Sequence, residues 1–96
     1  MEIKFDPRFR KEYKKADVRI KNQVRGRLRI FKKNPEDLQL NNHLLKREWK
    51  GYRSIDITAD WRAMYTEKEE GKELIAYFVA LGTHDELYSS LRSSSG

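Results

Sequence analysis

The chain predicts an α+β fold: two N-terminal helices packed on one face of a small, mainly antiparallel four-stranded sheet, with a short C-terminal helix. Three observations carry this. Apolar residues recur at three- and four-residue spacing up to residue 33, then switch to alternation from residue 52. The strands that follow are joined by short turns, which makes them antiparallel. Two helices that come before such a sheet can cover only one of its faces.

Residues 1–5 alternate, with Ile3 and Phe5 on one side, and Asp6-Pro7 stops the strand. Proline suits the first turn of a helix and aspartate its cap, so a helix starts there. Phe9, Tyr13 and Ala16 give that helix its apolar face. Asp17 caps a second helix, in which Ile20, Val24, Leu28 and Phe31 form a stripe and basic residues take the remaining surface. Asn34-Pro35 ends it, because proline disfavours a helical residue before it. Residues 38–42 read as a polar loop.

Over residues 52–58, Ile55 and Ile57 face one way and Ser54, Asp56 and Thr58 the other. Ala59-Asp60 is a turn, residues 61–66 a second strand, and residues 67–73, with Gly71, a hairpin connection. The nearly continuous apolar run 74–81 is the expected central strand. Gly82-Thr83 closes it, and residues 84–91 supply a last helical turn or two. With the helices over the isoleucine face, Asp56 lies on the other face, left open and concave by the twist of the sheet. A polar site belongs there. The expected division is one domain over residues 1–91 and a loose tail over 92–96.

Ninety-six residues supply one modest core. No apolar run has the length of a membrane span, and the N-terminus lacks the apolar stretch of a signal peptide. A cytoplasmic protein without a membrane partner is expected. The absence of cysteine excludes disulfides, thiolate metal sites and cysteine nucleophiles. Two histidines 41 positions apart, without clustered carboxylates, speak against a metal site, and the scattered glycines form no phosphate loop. No cofactor is expected. Residues 1–33 carry 13 Lys/Arg against 4 Asp/Glu, whereas residues 34–96 carry 8 against 11. The positive field therefore belongs to the helices, and Arg19, Arg25, Arg29 and Lys32 are the candidate contacts for phosphates or an acidic protein partner.

The polar density lies in residues 43–61 and 81–88: His43, Lys46, Lys50, Tyr52, Arg53, Asp56, Asp60, Trp61, His84 and Tyr88. Histidine gives or takes a proton near neutral pH, cations stabilise charge developing on a phosphate, and aromatic faces stack bases. Together these are the parts of a metal-free ribonuclease that uses the 2′-hydroxyl DNA lacks. Each also has a plain structural account. Trp49 and Trp61 fill a small core, Asp60 caps a turn, His84 caps the last helix or holds a backbone carbonyl, and Tyr88 packs four residues on from His84.

At these residues the chain resembles the RelE/ParE superfamily of toxins from toxin–antitoxin pairs, and most of all its YafQ-like branch. The resemblance rests on His43, Trp-Lys-Gly-Tyr-Arg at 49–53, Asp60-Trp61, and Gly-Thr-His-x-x-Leu-Tyr at 82–88. It implies a RelE-like, microbial-RNase-like fold and cleavage of mRNA in the ribosomal A site, with a cognate antitoxin as inhibitor. It assigns His43, Asp60 and His84 to acid–base and phosphate chemistry, and Trp61 and Tyr88 to the walls of the site. Lys46, Lys50, Tyr52 and Arg53 are the expected RNA contacts.

Two positions depart from the pattern. Asp56 stands where the YafQ-like branch has a further histidine, and an unperturbed carboxyl is a poor general acid at neutral pH. Ala80 stands where the branch has a phosphate-binding arginine, a loss worth about 2.7–4 kcal/mol by analogy with one oxyanion donor. Either the chain is a naturally weakened member or alanine here replaces a native arginine, and the second is favoured, since an active toxin harms a host that expresses it. Two other functions compete with the endonuclease: a non-enzymatic gyrase inhibitor, which has no need of the histidines, and an antitoxin-binding module without activity.

Overall fold

The computed structural model describes residues 1–88; residues 89–96, with the end of the helix expected over 84–91 and the tail expected over 92–96, lie outside the described residues. Strand β1 (Glu2–Phe5) leads into helix α1 (Pro7–Lys15) and helix α2 (Val18–Lys33). Asp6 accepts from the amide of Arg8, with Pro7 in the first turn, and Asp17 accepts from the amide of Ile20. Lysine pairs close both helices, the charge that suits the negative end of the helix dipole. Strands β2 (His43–Leu44), β3 (Arg53–Asp56), β4 (Trp61–Glu70) and β5 (Glu73–Thr83) follow, and residues 84–88 turn back into helix.

The sheet has the order β1-β5-β4-β3-β2, with β1 parallel to β5 and the other neighbours antiparallel. It therefore has five strands where the sequence predicts four. The added strand pairs His43 with Ser54 and Leu44 with Arg53, and two residues are too few to carry a period. β4 also runs on to Glu70, leaving only Gly71-Lys72 as the turn, with Gly71 at a φ of +63°. Residues 67–70 are charged and exposed, so no apolar alternation marks their pairing. In consequence β4, and not β5, is the middle strand.

Phe9, Val24 and Phe31 from the helices bury against Ile55, Ile57, Ala63, Tyr65, Ala76, Phe78 and Leu81. Phe31 stands edge-on to Tyr65 and Phe78, with ring centroids 5.0 and 5.3 Å apart. Leu40, from the stretch read as polar, is wholly buried there too, carried by a 3-10 turn over Leu38–Leu40.

Opposite Met64 and Tyr65 the ladder slips: Met64 pairs with Ala80 and Tyr65 with Phe78, so Val79 is an extra residue. This β-bulge turns Val79 and Ala80 to the same face, away from the helices, and returns Leu81 to the helix side. That face is not open throughout. Leu45 and Trp49 come down on it, beside a 3-10 turn over Arg47–Trp49, and with Met64, Ala80 and Leu87 they make a second buried cluster. Among the described residues no helix is long and apolar enough to cross a membrane.

Candidate functional site

Beside this second cluster runs a groove of about 410 Å³, walled by His43, Leu44, Leu45, Lys46, Arg47 and Glu48 on one side and Tyr88 on the other. The short β2 strand sets its near wall, and Asn42 fixes that strand. The Asn42 amide donates to the Tyr65 hydroxyl at 2.7 Å and to the Pro35 carbonyl at 2.8 Å, and its oxygen accepts from Nε of Arg53 at 2.8 Å. Tyr65 is buried, and that burial pushes its hydroxyl pKa up, so it remains a neutral partner. Next in the chain, Nδ1 of His43 lies 2.8 Å from the carbonyl oxygen of Asn41. A carbonyl only accepts, so Nδ1 carries the proton of the neutral ring and Nε2 keeps its lone pair. His43 is exposed and Lys46 beside it is exposed as well.

The far wall is built by the C-terminal turn. Thr83 and Glu86 form a reciprocal cap: the Thr83 amide donates to Oε1 of Glu86 at 3.0 Å, and the Glu86 amide donates to the Thr83 hydroxyl at 3.2 Å. These bonds hold the Glu86 carboxyl below the usual carboxylate range. The cap aims Leu87 into the second cluster and sets the His84 ring against Tyr88, tilted by 42° with centroids 4.5 Å apart. The amide of His84 donates to the carbonyl of Asp60 at 2.9 Å, which ties this turn to the β3–β4 connection. Nδ1 of His84 lies 3.7 Å from Oδ1 of Asp85.

Asp60 is exposed on a tight connection whose geometry is set by two side chains. The Thr58 hydroxyl accepts from the amides of Asp60 and Trp61, and one Arg62 nitrogen donates to the carbonyls of Thr58, Ala59 and Trp61 at 3.0, 2.8 and 3.2 Å. Nε of the same arginine lies 3.0 Å from Oδ1 of Asp56, close but off the N–H direction, so the contact is an ion pair rather than a hydrogen bond. Asn41 donates to the other oxygen of Asp56 at 3.3 Å. Asp56 thus lies on the face opposite the helices, where alternation predicts it, but as the tethered partner of a cation.

The structure brings His43, Lys46 and Tyr88 around one groove and links His84 and Asp60 to it. Trp61 goes elsewhere: it packs with the helix-side core, in a depression shared with Ala16 and Leu81, so it does not share a wall with Tyr88. Arg53 also faces the helix side, held by Asn42 and 4.0 Å from Glu36. Tyr52 packs edge-on to Trp49 at 5.3 Å as part of the second cluster, and Lys50 is exposed just beyond the 3-10 turn. Ala80 is fully buried in that cluster. Arg19, Arg25, Arg29 and Lys32 are exposed on α2, across the sheet from the groove. Among the described residues no group of three or more His, Asp or Glu could hold a metal ion.

Sequence reasoning missed Arg62, Arg47, Glu48 and the Thr83–Glu86 cap. Arg62 follows Asp60-Trp61 directly and falls on the side of β4 opposite Ala63, a signal that alternation contains. The cap was also legible, as Thr-x-x-Glu before an apolar residue. Arg47 and Glu48 lie on an irregular segment, with Arg47 at a φ of +57°, and no periodicity finds them.

A search of the curated proteins found no match. Among solved structures, the crystal structure of YafQ from E. coli strain BL21(DE3) is 25% identical, with a TM-score of 0.73 over 91% of this chain and 97% of that one. The solution structure of a conserved hypothetical protein from Helicobacter pylori is 33% identical, with a TM-score of 0.65 over 91% and 98%. A toxin chain in the E. coli DinJ–YafQ toxin–antitoxin complex is 28% identical, with a TM-score of 0.67 over 91% and 96%. The family model described as the bacterial toxin of a type II toxin–antitoxin system, YafQ, matches residues 1–89. With the whole of the described chain inside that match and the same α+β fold, this protein belongs to the YafQ family of type II toxins.

Proposed function

We propose that the chain is an endoribonuclease that cleaves mRNA in the ribosomal A site, in the cytoplasm, without a metal, and that a cognate antitoxin restrains it. The observation that carries this is the grouping of His43, Lys46 and Tyr88 on one groove, with the His84 ring packed against Tyr88. Nε2 of His43 takes the proton of the 2′-hydroxyl. The 2′-oxygen forms a bond to phosphorus, the phosphorus–O5′ bond breaks, and protonated His84 gives its proton to the leaving 5′-oxygen. Lys46 and the neighbouring basic residues stabilise the extra charge on the phosphorane. Tyr88 offers a face for a base. That E. coli YafQ was solved with DinJ supports an antitoxin partner.

Ala80 fits the view that this sequence is a weakened form, with alanine standing in for a native arginine. Ala80 lies on the same sheet face as Arg62 and Asp56, which supports that reading. Primer extension on translating ribosomes tests the whole reading. Cuts within A-site codons that His43→Gln and His84→Gln each reduce by at least a hundredfold are expected. Absence of such cuts, even with arginine at position 80, rejects it; inhibition of gyrase supercoiling by the same preparation would put the non-enzymatic alternative in its place.

A further inference from the structure

The groove that holds His43 and Lys46 also holds a residue the proposed cleavage does not use. Glu48 lines it, together with Arg47 and Tyr88. A carboxylate is out of place in a groove meant for a polyanion, because it repels phosphate. Nor is it neutralised where it stands: among the described residues no Lys, Arg or His nitrogen lies within ion-pair distance of Glu48, although Lys46, Arg47 and Lys50 surround it in the chain. Its backbone cannot draw back. Glu48 sits in the 3-10 turn Arg47–Trp49, closed by the Lys50 amide on the Arg47 carbonyl at 3.0 Å and followed by the Tyr52 amide on the Trp49 carbonyl at 3.0 Å. The next residue, Trp49, is buried in the second cluster and pins the turn to the sheet.

We infer that Glu48 reads a base of the bound RNA and selects guanine. The inference rests on the endonuclease reading above, which makes this groove the RNA cleft. Single-stranded RNA is read on the Watson–Crick edges of its unpaired bases, and an ionised carboxylate can only accept there, with its two oxygens. Guanine is the common base whose edge offers two adjacent N–H donors, N1–H and the 2-amino group, so it meets both oxygens at once. Adenine and cytosine set one N–H donor beside a ring-nitrogen lone pair, and uracil flanks its single N–H with two carbonyl oxygens. Each of those lone pairs faces a carboxylate oxygen and repels it. The rest of the groove supplies what the base and its strand need besides: the Tyr88 ring gives a face to stack on, and Lys46 and Arg47 give charge to the phosphates. Glu48 thus trades some phosphate attraction for discrimination between bases.

The test uses binding, which needs neither a ribosome nor cleavage. Five-nucleotide RNAs of uridine, with guanosine, adenosine, cytidine, uridine or inosine at the centre, are titrated against the intact chain. Fluorescence anisotropy gives the affinity, and the amide resonances of His43, Lys46 and Glu48 give the site. The guanosine RNA should bind roughly tenfold or more tightly than the adenosine, cytidine and uridine RNAs, the discrimination of one good bidentate pair. Inosine keeps N1–H and lacks the 2-amino group, so its RNA should fall between. Glu48→Gln presents one acceptor and one donor, so the guanosine preference should vanish while the adenosine and cytidine RNAs gain; Glu48→Ala should level all of them. Glu48 is exposed, and both variants should melt like the parent. Equal affinity for the four bases, no binding, a guanosine preference that survives Glu48→Gln, or resonance shifts confined to residues outside the groove overturns the inference. A guanosine preference in a chain that cuts nothing on ribosomes supports the inference and rejects the cleavage; ribosomal cuts with equal binding of all bases do the reverse.

Discussion

Replacing Ala80 with arginine puts the phosphate-binding reading and the packing of the second cluster under test together. A guanidinium that reaches the reacting phosphate is worth about 2.7–4 kcal/mol, or roughly 10²–10³ in rate, by the scale of a single oxyanion donor. The structure sets a cost against this. Ala80 is fully buried beside Leu45, Trp49, Met64 and Leu87, so a long side chain must part them. Overpacking of this kind costs about 1–3 kcal/mol. At about 4–8 °C per kcal/mol for a domain of this size, the variant should melt roughly 5–20 °C lower while cleaving at least a hundredfold faster. The assays are thermal melting and primer extension on ribosomes, with Ala80→Leu as a size control that loses stability and gains no activity. A folded Ala80→Arg protein that cuts no faster than its parent refutes the assignment of position 80 to phosphate binding. One that melts at the parental temperature refutes the account of the cluster.

Three further outcomes follow from other contacts. Arg62→Met removes three bonds to the turn carbonyls and leaves Asp56 without its cation; a loss of about 1–3 kcal/mol in urea unfolding is expected, and a change below about 0.5 kcal/mol would mean the clamp carries nothing. Asn42→Ala strands the buried Tyr65 hydroxyl and frees β2, so stability should drop by about 1–3 kcal/mol and cleavage should fall with it; intact cleavage would show that β2 does not position His43. The Glu86 carboxyl is held below its usual range by the Thr83 bonds, so its contribution is fully present above the unfolded value of about 4.3 and is lost as pH falls through the lower folded value. Parent and Glu86→Gln melting temperatures should therefore differ at neutral pH and converge in acid; a gap that stays constant with pH assigns the difference to something other than this ionisation.

Much of the fold can be read from residue pattern. Asp6-Pro7 and Asp17 mark the helix starts, and Ile55/Ile57 against Ser54/Asp56 assign the faces of β3, because helix caps and strand alternation are local rules. What escapes is what pattern does not encode. β2 is defined by pairing with β3 and not by its own two residues. The far halves of β4 and β5 pair through backbone bonds that charged side chains neither help nor announce. The second cluster depends on Leu45 and Trp49 folding back from an irregular segment. The site divides the same way. His43, Lys46, His84 and Tyr88 could be singled out as candidates from their side-chain chemistry and from the motifs that carry the resemblance. The partners that hold them, Asn42, Arg62 and the Glu86 cap, are ordinary residues whose roles appear only when the turns close.

The bulge at Val79 makes β5 a strand with two phases. On its N-terminal half the even-numbered residues Ala76 and Phe78 feed the helical core; beyond the bulge Leu81 does so and Ala80 points away. Deleting Val79 would remove the bulge and leave one unbroken alternation, in which Phe78 and Leu81 still face the helical core and Ala80 still points away. The bulge is thus the one point of β5 where the strand can lose a residue without turning its neighbours over. A single-residue deletion at position 79 should therefore survive in a sequence library of this chain, whereas deletions between Ile75 and Phe78, which turn the residues on one side of them to the wrong face, should vanish from it.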